Sequence, residues 1–368
     1  MASYEQKKNK KWSVRFYQFG VLRRLSGFDS KKEAEFEYMR ALQKGKSAKV
    51  EDKHLTVDAL YDIYFNYSST QMKESSLYTI RSFFKLYILP EFGHRKINKI
   101  SIGDINDWKM ELDQKKTKSG KPISFSYKAN IFTIFKMFIL WAIKNNYLEN
   151  NGLANMQNFR NREIKQDMLF WTEAEFLQFI SVVDSPVYKV FFLFLYLTGC
   201  RKGEALGLRW QEVNFNTGFV NIKSTYSRKT LTADSTYRIT TPKNHYSARK
   251  VLMPEVLVKE LKKYYDSQIS KPDFNSDCFV FGTNHPLGET SITRIKNDYC
   301  KLAGVKQIRL HDFRHSHVSL LISKNQNILV IAQRIGHANP NITLKTYAHL
   351  FPDQQREVLS SININLDT

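Results

Sequence analysis

The chain has 368 residues, enough for two or three domains with separate cores, and its 42% hydrophobic and 25% charged residues exclude a disordered chain. Lys and Arg number 56 against 35 Asp and Glu, a formal net charge of +21. That excess implies a polyanionic partner, nucleic acid first, and a basic surface that binds nothing is what charge alone leaves open. Three cysteines, Cys200, Cys278 and Cys300, form no CxxC pair, so neither a disulfide framework nor a zinc site is expected. The start MASYEQKKNKKW lacks the apolar core of a secretory signal. The most apolar run, VFFLFLYL (190–197), is too short to span a bilayer and reads as a buried helix. The expectation is a soluble intracellular protein with no membrane partner.

In chain order, Trp12, Val14 and Phe16 alternate with Ser13, Arg15 and Tyr17, the period of a half-buried strand. Gly20 and Ser26-Gly27 divide this region into about three strands, and Ser30 is placed to cap a helix after them. Lys8, Lys10, Lys11, Arg15, Arg23 and Arg24 crowd this small unit, which suits a DNA groove; a solvated basic face is the alternative. The stretch 45–53 reads as a linker. From Thr56 to about Asn150 the pattern is helical: Ile80, Phe83, Phe84 and Tyr87 share a face before Pro90 ends that helix. Ile131, Ile134, Phe135, Phe138 and Ala142 repeat the spacing, and these aromatic stripes read as core rather than as stacking platforms. A polar linker (151–168) leads to Thr172 and Glu175, a capping box that opens an α+β segment.

No GxxxxGK[ST] loop, GxGxxG turn or HExxH motif occurs, so nucleotide-driven and zinc-hydrolase chemistry have no visible site. His311 and His315 are four apart, but Arg314 between them would repel a cation, so no metal or other cofactor is expected. Phosphodiester exchange without metal or ATP needs a nucleophile, cationic donors for the non-bridging oxygens and an acid for the leaving oxygen. Arginine suits the clamp because its planar fork is bidentate and stays charged. Four patches offer these types in order. Arg201 follows the apolar helix that ends at Gly199, where a plain surface cap is the competing reading. Lys243 lies at a polar turn between strand-like residues, a flexible hairpin tip from which it could reach a leaving oxygen. His311 and Arg314 stand one helical turn apart. His337 follows Gly336, a loop marked by Asn339, Pro340 and Asn341 comes next, and Tyr347 lies ten residues beyond the histidine.

This ordered series resembles the tyrosine recombinases, the phage-integrase family, whose signature is Arg…Lys…His-x-x-Arg…His/Trp…Tyr. Arg201 in TGCRKGEAL, Lys243 in TPKNHYSAR, His311 and Arg314 in HDFRH, His337 in IGHANP and Tyr347 in TLKTYAHL match it position by position. Ser247 and Arg249 fit the small-x-Arg that follows the lysine. Two departures are Phe313, where leucine is usual, and Glu212, where aspartate is commoner.

The resemblance implies a mainly α, multidomain protein. An arm-type DNA-binding domain of a small sheet plus a helix (1–45) would precede an all-α core-binding domain (54–152) and an α+β catalytic domain (169–368). It implies a site-specific recombinase that cuts and rejoins DNA through a 3′-phosphotyrosine intermediate and a Holliday junction. Tyr347 would attack, Arg201 and Arg314 would hold the phosphate and Lys243 would protonate the 5′-oxygen. His311 would help to deprotonate Tyr347, and His337 would bond a phosphate oxygen. The implied partners are double-stranded DNA at core and arm sites, three further copies of the chain in a tetramer, and an excisionase or DNA-bending accessory protein, in a bacterial cytoplasm. The tail 353–366 is a candidate for packing on a neighbouring protomer. Type IB topoisomerase-like relaxation and a non-catalytic DNA-binding regulator remain the alternatives.

Overall fold

A computed structural model describes residues 3–6, 11–18, 21–47, 55–117, 119–149, 152–160, 168–231, 236–241 and 248–350. The chain divides into two compact units, one of residues 1–164 with 229–233, the other of 165–228 with 234–368.

The first unit opens with a three-stranded antiparallel sheet in the order β1 (Ser3–Gln6), β2 (Trp12–Gln18), β3 (Val21–Phe28). Val14 and Phe16 are buried while Arg15 between them is exposed, as the alternation requires. Ser13 is buried as well, because the pairing with β3 slips between Trp12 and Ser13 and turns that position inward. Helix α1 (Lys31–Ser47) starts where the Ser30 hydroxyl accepts the Glu33 N–H (3.1 Å) and the Glu33 carboxylate accepts the Asp29 N–H (2.8 Å). It buries Ala34, and Tyr38 meets Phe16 edge-on.

Next come α2 (Val57–Gln71), α3 (Glu74–Phe83), α4 (Leu89–Phe92), α5 (Ile102–Gln114) and α6 (Phe125–Lys144). Ile80, Phe83, Phe84, Ile131, Phe135, Phe138 and Ala142 are buried in one core with Trp108, so the stripes are core. Pro90 does not end the helix as expected. A π-helical turn at Phe84–Ile88 precedes it, and the wider turn lets the chain carry a residue that has no N–H into α4.

The second unit holds helices α7 (Glu173–Ser181), α8 (Pro186–Thr198), α9 (Lys202–Leu206), α10 (Glu255–Ile269), α11 (Glu289–Ala303), α12 (Asp312–Ser323), α13 (Ile328–Ile335) and α14 (Pro340–Tyr347). Its strands are β4 (Val213–Asn214), β5 (Phe219–Ile222), β6 (Thr225–Ser227), β7 (Arg238–Thr240) and β8 (Arg249–Leu252). The capping box at α7 forms: Thr172 Oγ1 accepts the Glu175 N–H (3.3 Å), and Glu175 accepts the Thr172 N–H (2.8 Å). Helix α8 is buried along most of its length and packs on α12.

Phe313, the departure from leucine, is fully buried, stacked on Phe192 (5.6 Å) and edge-on to Trp171 (5.1 Å). Burying such a ring is worth about 2–3 kcal/mol, which anchors the first turn of α12. The strands on either side of the Lys243 turn do not pair with each other. β7 pairs with β6, while β8 joins β5 and β4. The expected simple hairpin is therefore two strands of separate sheets. Among the described residues no helix is long and apolar enough to cross a membrane.

Candidate active site

The site grows from the end of α8. Gly199 closes that helix in the left-handed region (φ 65°), and a Cβ there would lie 2.5 Å from Cδ2 of His317. Both the backbone angle and the space require glycine. Its carbonyl accepts a hydrogen bond from Nη1 of Arg314 (3.0 Å). Two residues on, Arg201 is the N-cap of α9.

One buried carboxylate organises the arginines. Glu204 accepts the Arg201 N–H (3.0 Å), Arg201 Nη1 (2.8 Å) and Arg249 Nη2 (3.0 Å). Burial pushes this acid toward protonation, but Arg249 and then Arg201 outweigh it and hold the carboxyl below its ordinary range. Arg249, at the start of β8, also donates Nε to the Arg334 carbonyl (2.8 Å) and lies 3.6 Å from Cys200 Sγ.

Arg334 is fixed in turn. Its Nη2 donates to the Leu197 carbonyl (2.9 Å) and its Nε to Nε2 of His317 (3.1 Å). Nδ1 of His317 lies 2.7 Å from the Tyr196 carbonyl, so that nitrogen carries the proton and the ring is neutral. Burial, then Arg334, pushes its pKa down to about 3.

Arg314 is 2% exposed, and its Nη2 is buried with no hydrogen-bond partner among the described residues. Burial first, then the charge of Arg201, pulls its pKa down to about 9. A buried guanidinium with an unused donor is stabilised by an anion, and a phosphate oxygen has the right charge and acceptor geometry.

His337 follows the C-cap of α13, Gly336 (φ 72°), and its Nδ1 bonds Thr343 Oγ1 at 2.8 Å. Burial, then Arg314, Arg201, Arg249 and His311, lowers its pKa to about 4. His311 keeps an exposed edge at the N-cap of α12; the protein around its ring, then Arg314, holds its imidazole below the usual range. Tyr347 ends α14 and is 2% exposed, and burial raises its phenol to about 12. Its hydroxyl lies 2.7 Å from Nδ1 of His315.

Arg201, His311, Arg314, His337 and Tyr347 thus gather around one centre. The contact at the tyrosine hydroxyl differs from expectation: it goes to His315, and the ring of His311 stands edge-on behind His315 at 5.2 Å. The helix phase of α12 decides this, because residue 315 faces α14. The expected loop after His337 is also shorter. Asn339 caps α14 by accepting the Asn341 N–H (2.9 Å), and Pro340 takes the first turn, where its missing N–H costs nothing.

Lys243, Ser247, Lys8, Lys10 and the tail 353–366 lie outside the described residues, as does the side chain of Arg23. Arg15 and Arg24 share Glu5 (2.7 and 3.3 Å), and Lys11 pairs with Asp29 in exposed ion pairs of small energetic weight. Sequence reasoning missed Glu204, His315 and Thr343. Glu204 is marked only by its spacing three after Arg201, and His315 enters only as half of a metal pair with His311 that the charge of Arg314 argues against.

Comparison with known proteins matches residues 170–354, half of the chain, to the phage integrase family. The chain belongs to the phage integrase family. Residues 56–112 match the family's N-terminal SAM-like domain. As a phage-integrase family member it is a site-specific recombinase of the tyrosine type, the integrase of a mobile element. The ICEBs1 integrase of Bacillus subtilis (strain 168) is 27% identical over 90% of this chain and 88% of the relative. A XerC-like tyrosine recombinase of Caldanaerobacter subterraneus is 24% identical, covering 91% of this chain and 90% of the relative. The fold matches the Tn1549 transposon integrase in complex with a circular intermediate DNA, with a TM-score of 0.67 at 19% identity over 83% of this chain and 99% of that one. It also matches a lambda integrase tetramer bound to a Holliday junction, with a TM-score of 0.55 at 14% identity over 92% and 96%.

Proposed function

We propose that this integrase cuts and rejoins double-stranded DNA with Tyr347 as the nucleophile, and that Arg201, Arg314 and His337 bind the scissile phosphate. The observation that carries the reading is Arg314: a buried guanidinium with an unused donor, in the electrostatic company of Arg201 and Tyr347. Attack by the phenolic oxygen forms a 3′-phosphotyrosine and releases a 5′-oxygen, which takes its proton from Lys243. The covalent bond conserves the phosphodiester's energy, so rejoining needs no ATP. His311, to which the family resemblance gives a part in deprotonating Tyr347, lies beside Arg314 with its ring edge-on to that of His315 at 5.2 Å.

In the same reading, residues 1–45 hold arm-type DNA through Lys8, Lys10, Lys11, Arg15, Arg23 and Arg24. Residues 54–152 hold core DNA, and 169–368 carry the chemistry. Four copies exchange strands through a Holliday junction in the cytoplasm of a bacterial host, and an excisionase or DNA-bending protein is the further partner. The net charge of +21 supports the DNA contacts.

A nicked suicide duplex carrying the element's junction tests this. Wild type traps a protein–DNA adduct and Tyr347→Phe forms none; an adduct with Tyr347→Phe would remove Tyr347 as nucleophile. Binding falls steeply with added salt, and a flat salt response would contradict phosphate contacts by the basic surface.

A further inference from the structure

We propose that His315 is a catalytic base, accepting the proton of Tyr347 as its oxygen attacks phosphorus, with Asp312 the carboxylate whose field favours the accepting tautomer. The proposal rests on the reading of Tyr347 as nucleophile and adds the group that makes a phenol reactive in this site.

Geometry carries it. The Tyr347 hydroxyl and Nδ1 of His315 are 2.7 Å apart in a region from which water is largely excluded. On the other side of the ring, Nε2 faces Oδ1 of Asp312 at 3.9 Å. That distance is too long for a hydrogen bond, but the field of the carboxylate favours the tautomer with the proton on Nε2. The lone pair of Nδ1 then points at the tyrosine, which donates. Asp312 is itself fully buried and held by the backbone N–H of Arg309 (2.7 Å) and by its guanidinium (2.8 and 3.1 Å). The chain Arg309, Asp312, His315, Tyr347 therefore runs from a surface cation to the nucleophile through one turn of α12.

The charges around the ring fit the role. His315 is faced by His311 and Asp312 from the start of α12, by Arg309 before it, by Arg314 on it and by Tyr347 from α14. Burial first and His311 second keep the imidazole neutral, pushed down to about 4, so it can accept at physiological pH. Tyr347, raised to about 12, does not ionise unaided. Full transfer is uphill in the free protein, so the proton moves as the bond to phosphorus forms and drains charge from the phenolic oxygen. A bound phosphodiester anion would offset the field of Arg314 and raise the basicity of His315 once substrate is present.

The step balances. The proton passes from Oη of Tyr347 to Nδ1 of His315, the Oη–P bond forms, and the P–O5′ bond breaks with protonation by Lys243. In rejoining, the 5′-hydroxyl attacks and gives its proton back to Lys243, the P–Oη bond breaks, and His315 returns its proton to Tyr347.

Single-turnover adduct formation across pH, for wild type, His315→Gln, His315→Ala and Tyr347→Phe, tests the assignment, with duplex binding and melting recorded alongside. His315→Gln keeps a hydrogen-bond acceptor without a base. It is expected to bind DNA and melt like wild type, yet to react on the order of 10²–10⁴ slower. Its rate should climb with pH toward the ionisation of the phenol, and added imidazole should restore part of the rate of His315→Ala. A His315→Gln enzyme with the wild-type rate and pH profile overturns the proposal. So does a slower enzyme whose profile keeps the wild-type shape while imidazole rescues nothing, since His315 would then only position the ring. An adduct in Tyr347→Phe would instead strike the nucleophile, a separate result from either.

Discussion

The two sides of the site are built differently. On the arginine side, Glu204 ties Arg201 to Arg249, Arg249 is tied to the Arg334 carbonyl, and Arg334 to His317 and Leu197. Five elements, α8, α9, β8, α12 and α13, are cross-linked there before any ligand arrives. On the tyrosine side, α14 is joined to the site histidines by two hydrogen bonds one turn apart, Thr343 to His337 and Tyr347 to His315. A phosphate clamp gains from rigidity, because fixed donors need no reorganisation as charge develops. A nucleophile must advance toward phosphorus, and a helix held by two neutral bonds can release them at a cost of about 1 kcal/mol each.

Among substitutions that leave Tyr347 and His315 in place, the largest effect should come from the clamp. Arg314→Lys keeps the charge but loses the fork, and adduct formation should slow by about 10²–10³ with DNA binding less affected. A rate within a few-fold of wild type would show that charge alone suffices. Next is Glu204→Ala, which leaves the buried Arg249 without its carboxylate and should cost about 3 kcal/mol in denaturant unfolding. A loss under about 1 kcal/mol would mean that the arginine side is not organised by this acid.

Acid should reach the same region. His315, His317 and His337 have folded pKa values near 4, 3 and 4, below the ordinary 6.5, chiefly through burial. The unfolded chain therefore takes up protons first. The stability these rings contribute is complete above about pH 6.5 and declines as the pH falls through the interval down to the folded values. Unfolding free energy should fall by on the order of 1–2 kcal/mol for each ring between about pH 7 and pH 5, and a flat profile would contradict the burial of these rings. The smallest change is expected from Thr343→Val, which removes one bond to His337. It should cost under about 1 kcal/mol and slow the reaction only a few-fold, and a loss as large as that of Arg314→Lys would erase the contrast between the two sides.

Much of this was legible in the sequence. Gly199 before Arg201, the turn of helix from His311 to Arg314, and Tyr347 after His337 all fall where the ordered residues placed them. The aromatic stripes became the helical core, because apolar spacing at 3.6 residues is a statement about one face. What the sequence did not carry were relations between elements. Whether His311 or His315 meets the tyrosine depends on the rotation of α12 against α14, and residue spacing along one helix contains no such information. The strands near Lys243 join different sheets for the same reason, since pairing partners are distant in the chain. Pro90 reads as a stop because its chemistry forbids an ordinary helical turn; the π-turn before it evades the rule locally.

The covalent link to DNA is expected at Oη of Tyr347. Wild-type protein is trapped on the nicked duplex, digested with trypsin, and the nucleotide-bearing peptide is sequenced by mass spectrometry. The expected result is a single modified peptide beginning at Thr346, with the phosphodiester on Tyr347. A link at any other residue would contradict it.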